Sequence, residues 1–170
     1  MPRRKRPLDV LVVDDSAVMR QLLSALLAQE SGVTVTTAAD PLIAMRKMER
    51  FRPDVMVLDI EMPRMDGLTF LRKIMAESPL PVVICSSHAQ RGTGAAIEAL
   101  AQGAVEVIGK PMLGLKGFLE DSSLTLLDTL RAAAEARVPR RLPLPRSSRR
   151  CDVALPAAPA GGSAPRRSRP

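Results

Sequence analysis

The sequence contains no Trp and no Tyr, only three Phe, one His and two Cys in 170 residues. With so few rings, aliphatic side chains and the nine Met have to fill whatever core forms, which suits Val- and Leu-rich parallel strands. Neither Cys85 nor Cys151 has a partner at metal-ligand spacing. Cys85 lies in an apolar run where a thiol behaves as a small hydrophobe, so a reduced, cytosolic setting is expected. No stretch approaches the ~18 consecutive apolar residues of a membrane span. The basic start is followed by only four apolar residues, 10–13, before Asp14 and Asp15 interrupt them, too few for a signal peptide.

The net charge of +7 suggests nucleic-acid binding until it is located along the chain. Residues 138–170 carry eight Arg against the single acid Asp152, and this accounts for the whole excess. Residues 7–137 hold 13 basic and 17 acidic side chains and are mildly acidic. The charge of the part expected to fold therefore does not support a basic surface for reading specific DNA.

What is present is an alternation of short apolar runs with longer stretches of helical period. Runs at 10–13, 33–38, 55–58, 81–85 and 104–108 are followed by helical patterns at 16–29, 41–50, 68–76, 94–101 and 115–136. Five strand–helix units with short connections predict an α/β domain, doubly wound around a five-stranded parallel sheet. Ser16 caps the first helix in this reading, Asp40-Pro41 opens the second, and Pro63 with Gly67 breaks the loop before the third. The expected organisation is a basic arm over 1–7, the domain over 8–137, and a tail over 138–170. The tail is mostly Pro, Arg, Ala, Ser and Gly, which cannot bury enough apolar surface to offset its ordering entropy and predicts a disordered linker.

Functional groups in open α/β sheets gather outside the carboxyl ends of the strands. Here those ends carry Asp14-Asp15, Asp59, Ser86-Ser87 and Lys110-Pro111. Three carboxylates brought together repel one another unless a cation screens them. Oxygen donors of this kind suit Mg²⁺, which commonly shares its shell with waters and phosphate oxygens. Phosphoryl transfer is the chemistry that uses the set: Asp59 as nucleophile, Lys110 and the metal against the transferred charge, and Ser86 as a hydrogen-bond donor. Taken singly, Asp14-Asp15-Ser16 reads as a helix cap, Asp59 as a polar strand end and Lys110-Pro111 as a loop. Their joint placement on separate strand ends gives the pattern its meaning. His88 is expected to face solvent, and the Met residues to pack.

These residues resemble the receiver domain of bacterial two-component response regulators, over residues 8–137. The likeness is carried by Val12-Val13-Asp14-Asp15-Ser16, Leu58-Asp59-Ile60-Glu61-Met62-Pro63, Met65-Asp66-Gly67 and Lys110-Pro111. It implies the strand order 2-1-3-4-5, and that Asp14 and Asp15 hold Mg²⁺, with Asp15 a direct ligand, together with Asp59 and the backbone carbonyl of Glu61. It also implies that Asp59 accepts a phosphoryl group from a histidine kinase, with Ser86 as the switch hydroxyl and Lys110 beside the phosphate. The run from Glu61 to Leu71, Ser86-Ser87 and Leu113-Gly114-Leu115 are similar to the receiver half of chemotaxis protein-glutamate methylesterases. That resemblance implies an output partner, a methylesterase domain attached or separate. No Ser-Thr-Gly-Gly nucleophile loop occurs and there is one His, so esterase activity is not expected of these 170 residues.

One departure concerns strand five. Receivers usually carry an aromatic residue three positions before the lysine, where this sequence has Val107. Other functions fit less well. An aspartate-nucleophile phosphatase of the haloacid dehalogenase type uses Asp-x-Asp after strand one, which Asp14-Asp15-Ser16 lacks. A transcription regulator would need a helix-turn-helix pattern, and none follows Arg137. A stand-alone single-domain response regulator and the regulatory part of a methylesterase both remain compatible with the residues.

Overall fold

The computed structural model describes residues 6–87, 93–110 and 116–136, with side chains in the last segment from residue 124 onward. Ten elements alternate in chain order: β1 Leu8–Val13, α1 Ala17–Ala28, β2 Val33–Ala38, α2 Pro41–Met48, β3 Val55–Leu58, α3 Gly67–Glu77, β4 Val82–Ser86, α4 Gly94–Ala101, β5 Glu106–Gly109 and α5 Lys116–Glu135. All neighbouring strands are parallel, as the alternation predicts, and the order across the sheet is β2-β1-β3-β4-β5, as the resemblance to receivers implies. Residues 1–5 of the arm expected over 1–7, His88, the segment 111–115 and the tail over 138–170 lie outside the described residues.

Strand periodicity sorts the core into two layers. Leu11, Val13, Met56, Leu58, Val82 and Ile84 face one side, with Phe70, Leu71 and Ile74 of α3 and Ala96 and Ala99 of α4. Val10, Val12, Val55, Val57, Val83 and Cys85 face the other, with Leu23 and Leu27 of α1 and Leu127, Leu130 and Ala133 of α5. Strands covered on both faces read as continuous apolar runs, which is why β1, β3 and β4 were visible in the sequence. The edge strand β2, Val33-Thr34-Val35-Thr36-Thr37-Ala38, is less buried and alternates with threonine.

The helix starts follow side-chain capping. Ser16, Asp40, Asp66 and Thr93 accept from the backbone N–H three residues on, at 3.3, 2.8, 2.9 and 3.3 Å. Asp66 and Thr93 extend the two caps expected from sequence. The fifth strand differs from the expected 104–108. Gly103, at φ +113°, ends the α4 turn, and Ala104 N–H closes back onto Ala99 O at 3.0 Å, so Ala104 belongs to the helix exit. Pairing then starts late and runs on to Gly109, opposite Ser86. Strand β4 likewise shifts by one residue from the expected start at Pro81, which has no N–H to give to a ladder.

Gly67 sits where α3 begins against the end of β3. A Cβ there would overlap the carbonyl oxygen of Asp59 and lie 2.7 Å from Ile60 Cα, and the Gly67 N–H donates to Ile60 O at 2.9 Å. Only a residue without a side chain lets the helix approach this closely. Gly67→Ala should therefore lower stability by about 1–3 kcal/mol through forced backbone movement, read from urea unfolding; an unchanged midpoint would show that the loop gives way freely.

Candidate functional site

The crossover that leaves β1 runs to β2 on one side and the crossover that leaves β3 runs to β4 on the other, so a crevice opens beyond the carboxyl ends of β1 and β3. Register brings the acids there. Val13 pairs with Leu58, and Asp59 N–H donates to Val13 O at 2.9 Å, so Asp14 and Asp59 leave adjacent strands side by side. Carboxylate oxygens of Asp14, Asp15 and Asp59 lie within 4.8 Å of one another. Asp14 and Asp59 are each 1% exposed, whereas Asp15 is exposed to solvent.

Lys110 enters from the end of β5. Its backbone N–H donates to Ser86 O at 3.2 Å, and its ammonium donates to Asp59 Oδ2 at 2.8 Å and lies 2.9 Å from Asp14 Oδ2. Ser86, buried at the end of β4, pairs with Gly109 and so lies beside the lysine in the sheet. Oδ1 of Asp59 accepts from Glu61 N–H at 3.1 Å, and Oδ1 of Asp14 accepts from Ser16 N–H at 2.8 Å. The buried Oδ2 of Asp14 has, apart from the Lys110 ion pair, no hydrogen-bond partner among the described residues.

All the residues named from sequence for which positions are described, Asp14, Asp15, Asp59, Glu61, Ser86 and Lys110, thus stand at this one end of the sheet. Two contributors were missed. Arg20, in the first turn of α1, donates from Nη1 to Asp14 O at 2.7 Å and Asp15 O at 2.9 Å. Its only sequence signal is a cation one turn into a helix, where one is disfavoured. Asp66 caps α3 and also accepts from Thr69 Oγ1 at 2.7 Å; these bonds hold its carboxyl below the ordinary range. An Asp-x-x-Thr spacing could have shown it.

The electrostatics follow from burial. Desolvation pushes the Asp59 carboxyl above its ordinary 3.8, against the opposing hydrogen bonds from Lys110 and Glu61 N–H. Burial pulls the Lys110 ammonium down, but hydrogen bonding to Asp59 and the charges of both carboxylates outweigh it and hold the pKa above the usual lysine range. Burial pushes the Cys85 thiol up to about 12, which makes it an inert packing group, as its apolar surroundings in the sequence suggest.

Residues 10–116 match the response regulator receiver domain family, and the chain belongs to that family. Its receiver is of the kind found in chemotaxis protein-glutamate methylesterases. A protein-glutamate methylesterase/protein-glutamine glutaminase of Anaeromyxobacter dehalogenans is 57% identical over 141 residues, covering 81% of this chain and 40% of the relative. One from Chromobacterium violaceum is 56% identical over 140 residues, covering 82% and 39%. The chain thus spans about two fifths of the length of these relatives. Among solved structures, the response regulator domain of Thermotoga maritima CheB superposes with a TM-score of 0.70 at 37% identity, covering 78% of this chain and 99% of that one. Vibrio cholerae chemotaxis protein CheY4 gives 0.62 at 31% identity, covering 75% and 98%.

Three carboxylates against one ammonium leave the cluster with an excess of negative charge. Asp59→Asn removes one buried charge, keeps an oxygen for Glu61 N–H and leaves Lys110 paired with Asp14. In chelator at pH 7 it should be more stable than the wild type by on the order of 1 kcal/mol, a few degrees in Tm. A carboxyl whose folded pKa lies above its unfolded value costs stability as pH rises through that interval. The advantage should therefore fade on acidification and vanish below about pH 3.8, the ordinary value; a wild type as stable as the variant at pH 7 would contradict it.

Proposed function

We propose that this receiver accepts a phosphoryl group on Asp59 from a histidine kinase in a Mg²⁺-dependent step, and that the phosphorylated form switches an output partner. The observation that carries this reading is the meeting of three aspartates around one buried, lysine-bridged carboxylate.

The donor set fits a hard divalent cation. It consists of carboxylate oxygens, one of which, Asp14 Oδ2, is buried with only the ammonium opposite it. Asp14, Asp15, Asp59 and the backbone carbonyl of Glu61 would hold Mg²⁺, which when bound supplies charge neutralisation to the transferring phosphoryl group. The chain's own residues do the rest. An Asp59 carboxylate oxygen attacks phosphorus, forming the acyl phosphate while the bond from phosphorus to the kinase imidazole nitrogen breaks and that nitrogen keeps the electron pair. Lys110, held charged by its two carboxylates, offers its ammonium to the added negative charge. Ser86 would turn its hydroxyl toward the phosphoryl oxygens, and Glu61 N–H fixes the orientation of the Asp59 carboxyl. The domain limits proposed are 8–137, with 138–170 a basic linker or tail.

Likeness to the methylesterases supports a methylesterase domain as the output partner, within one chain or separate, in the cytoplasm. No helix among the described residues is long and apolar enough to cross a membrane. In that setting the unphosphorylated receiver covers the esterase site and phosphorylation uncovers it; equal esterase activity with and without the receiver would refute this.

The decisive test is incubation with acetyl phosphate and Mg²⁺, read by intact mass. One alkali-labile adduct is expected in the wild type, none in Asp59→Asn, and none after chelation. Lys110→Met should slow its formation at least tenfold. An adduct that persists in Asp59→Asn would place the acceptor elsewhere.

A further inference from the structure

Arg20 carries an inference beyond the residues assigned above. It stands in the first turn of α1, where the positive end of the helix dipole disfavours a cation, and no acidic residue shares that turn. It is half-buried, and one nitrogen, Nη1, donates to two successive carbonyls, Asp14 O at 2.7 Å and Asp15 O at 2.9 Å. Adjacent carbonyls converge on one nitrogen only when both peptide planes of the β1–α1 loop are turned toward it. The same loop is tied locally where Ser16 N–H donates to Asp14 Oδ1 at 2.8 Å, and by Arg20 N–H to Ser16 O at 3.0 Å. The backbone that carries both acids is thereby fixed.

Resting on the metal-site reading above, we propose that Arg20 is a positioning residue for divalent-cation binding: its guanidinium clamps the carbonyls of Asp14 and Asp15 so that their carboxylates are held ready for the ion. Arg20 contacts the loop backbone and, in this role, need not touch the cation or the phosphoryl group. Its charge acts in the opposite direction, because a guanidinium near the cluster repels an incoming cation. The two effects therefore differ in sign. Removing a mere neighbouring charge tightens Mg²⁺ binding; removing a clamp weakens it, since groups that orient metal ligands typically account for 10- to 100-fold in affinity.

The experiment titrates Mg²⁺ into chelator-treated full chain by calorimetry, and measures the Mg²⁺-induced shift in Tm against each protein's own metal-free value. Wild type, Arg20→Met, Arg20→Lys and Asp15→Asn are compared, with folding checked by far-UV circular dichroism. Arg20→Met is expected to bind Mg²⁺ about 10-fold or more weakly, and Arg20→Lys, which keeps the charge on a shorter side chain whose nitrogen falls short of the Nη1 position, to fall between it and wild type. Affinity in Arg20→Met equal to or tighter than wild type overturns the proposal. Should Arg20→Met fail to fold, Arg20→Lys decides: weaker binding supports the clamp, and unchanged binding overturns it. A wild type without a Mg²⁺ response, or Asp15→Asn binding as wild type does, overturns the metal-site reading and the Arg20 role with it; weakening in Asp15→Asn alone overturns only the latter.

Discussion

Charge crowding at the ends of β1 and β3 is the constraint that the rest of the structure serves. Two of the carboxylates are buried, and their oxygens approach a third within 4.8 Å. Such an arrangement is unfavourable on its own, because burial and like charge both oppose ionisation. It persists because a single ammonium bridges two of the acids and backbone N–H groups serve the remaining oxygens of Asp14 and Asp59. What is left over is an unbalanced negative charge beside solvent-exposed Asp15.

Holding that arrangement needs stiff surroundings. The three central strands are packed on both faces by aliphatic side chains, and the largest buried ring, Phe70, comes from the helix that follows Asp59. Gly67 allows that helix to start in contact with the Asp59 backbone, so the loop after Asp59 is short and braced. The Arg20 guanidinium and the Ser16 cap do the same for the loop after β1. A core with no Trp or Tyr loses little by this, because parallel strands need only uniform, branched side chains between two helical layers.

The fold was legible where local signals agreed. Runs such as Val55–Leu58, bounded by Pro53 and Asp59, can be little other than a covered strand, and Asp40-Pro41 marks a helix start by capping and fixed φ together. Strand ends were less legible. Ala104 and Val105 carry the right chemistry for β5, yet the αL turn at Gly103 assigns the first of them to the helix exit, and that choice depends on where β4 stands. At the site, the acids and the lysine announced themselves because chemistry restricts which residue types can serve. Arg20 did not, since its role lies in backbone contacts that composition does not encode, and Gly67 was visible as a loop breaker but not as the point where α3 touches the Asp59 backbone.

Strand β5 then bears on how events at Asp59 reach the surface. Val107, where receivers usually carry a ring, is 4% exposed, pairs with Ile84 and belongs to the layer that includes Ala96 and Ala99 of α4. A short β-branched side chain has no ring, so the inward and outward positions open to an aromatic side chain do not arise here. The backbone nonetheless links the two strand ends directly: Lys110 N–H donates to Ser86 O, and Gly109 pairs with Ser86 itself. Any displacement of Ser86 toward Asp59 pulls on the end of β5 and on the start of the lysine segment together. Helix α4 packs against β5 and leaves Ile97 and Leu100 exposed on its outer side, an apolar face next to these strand ends.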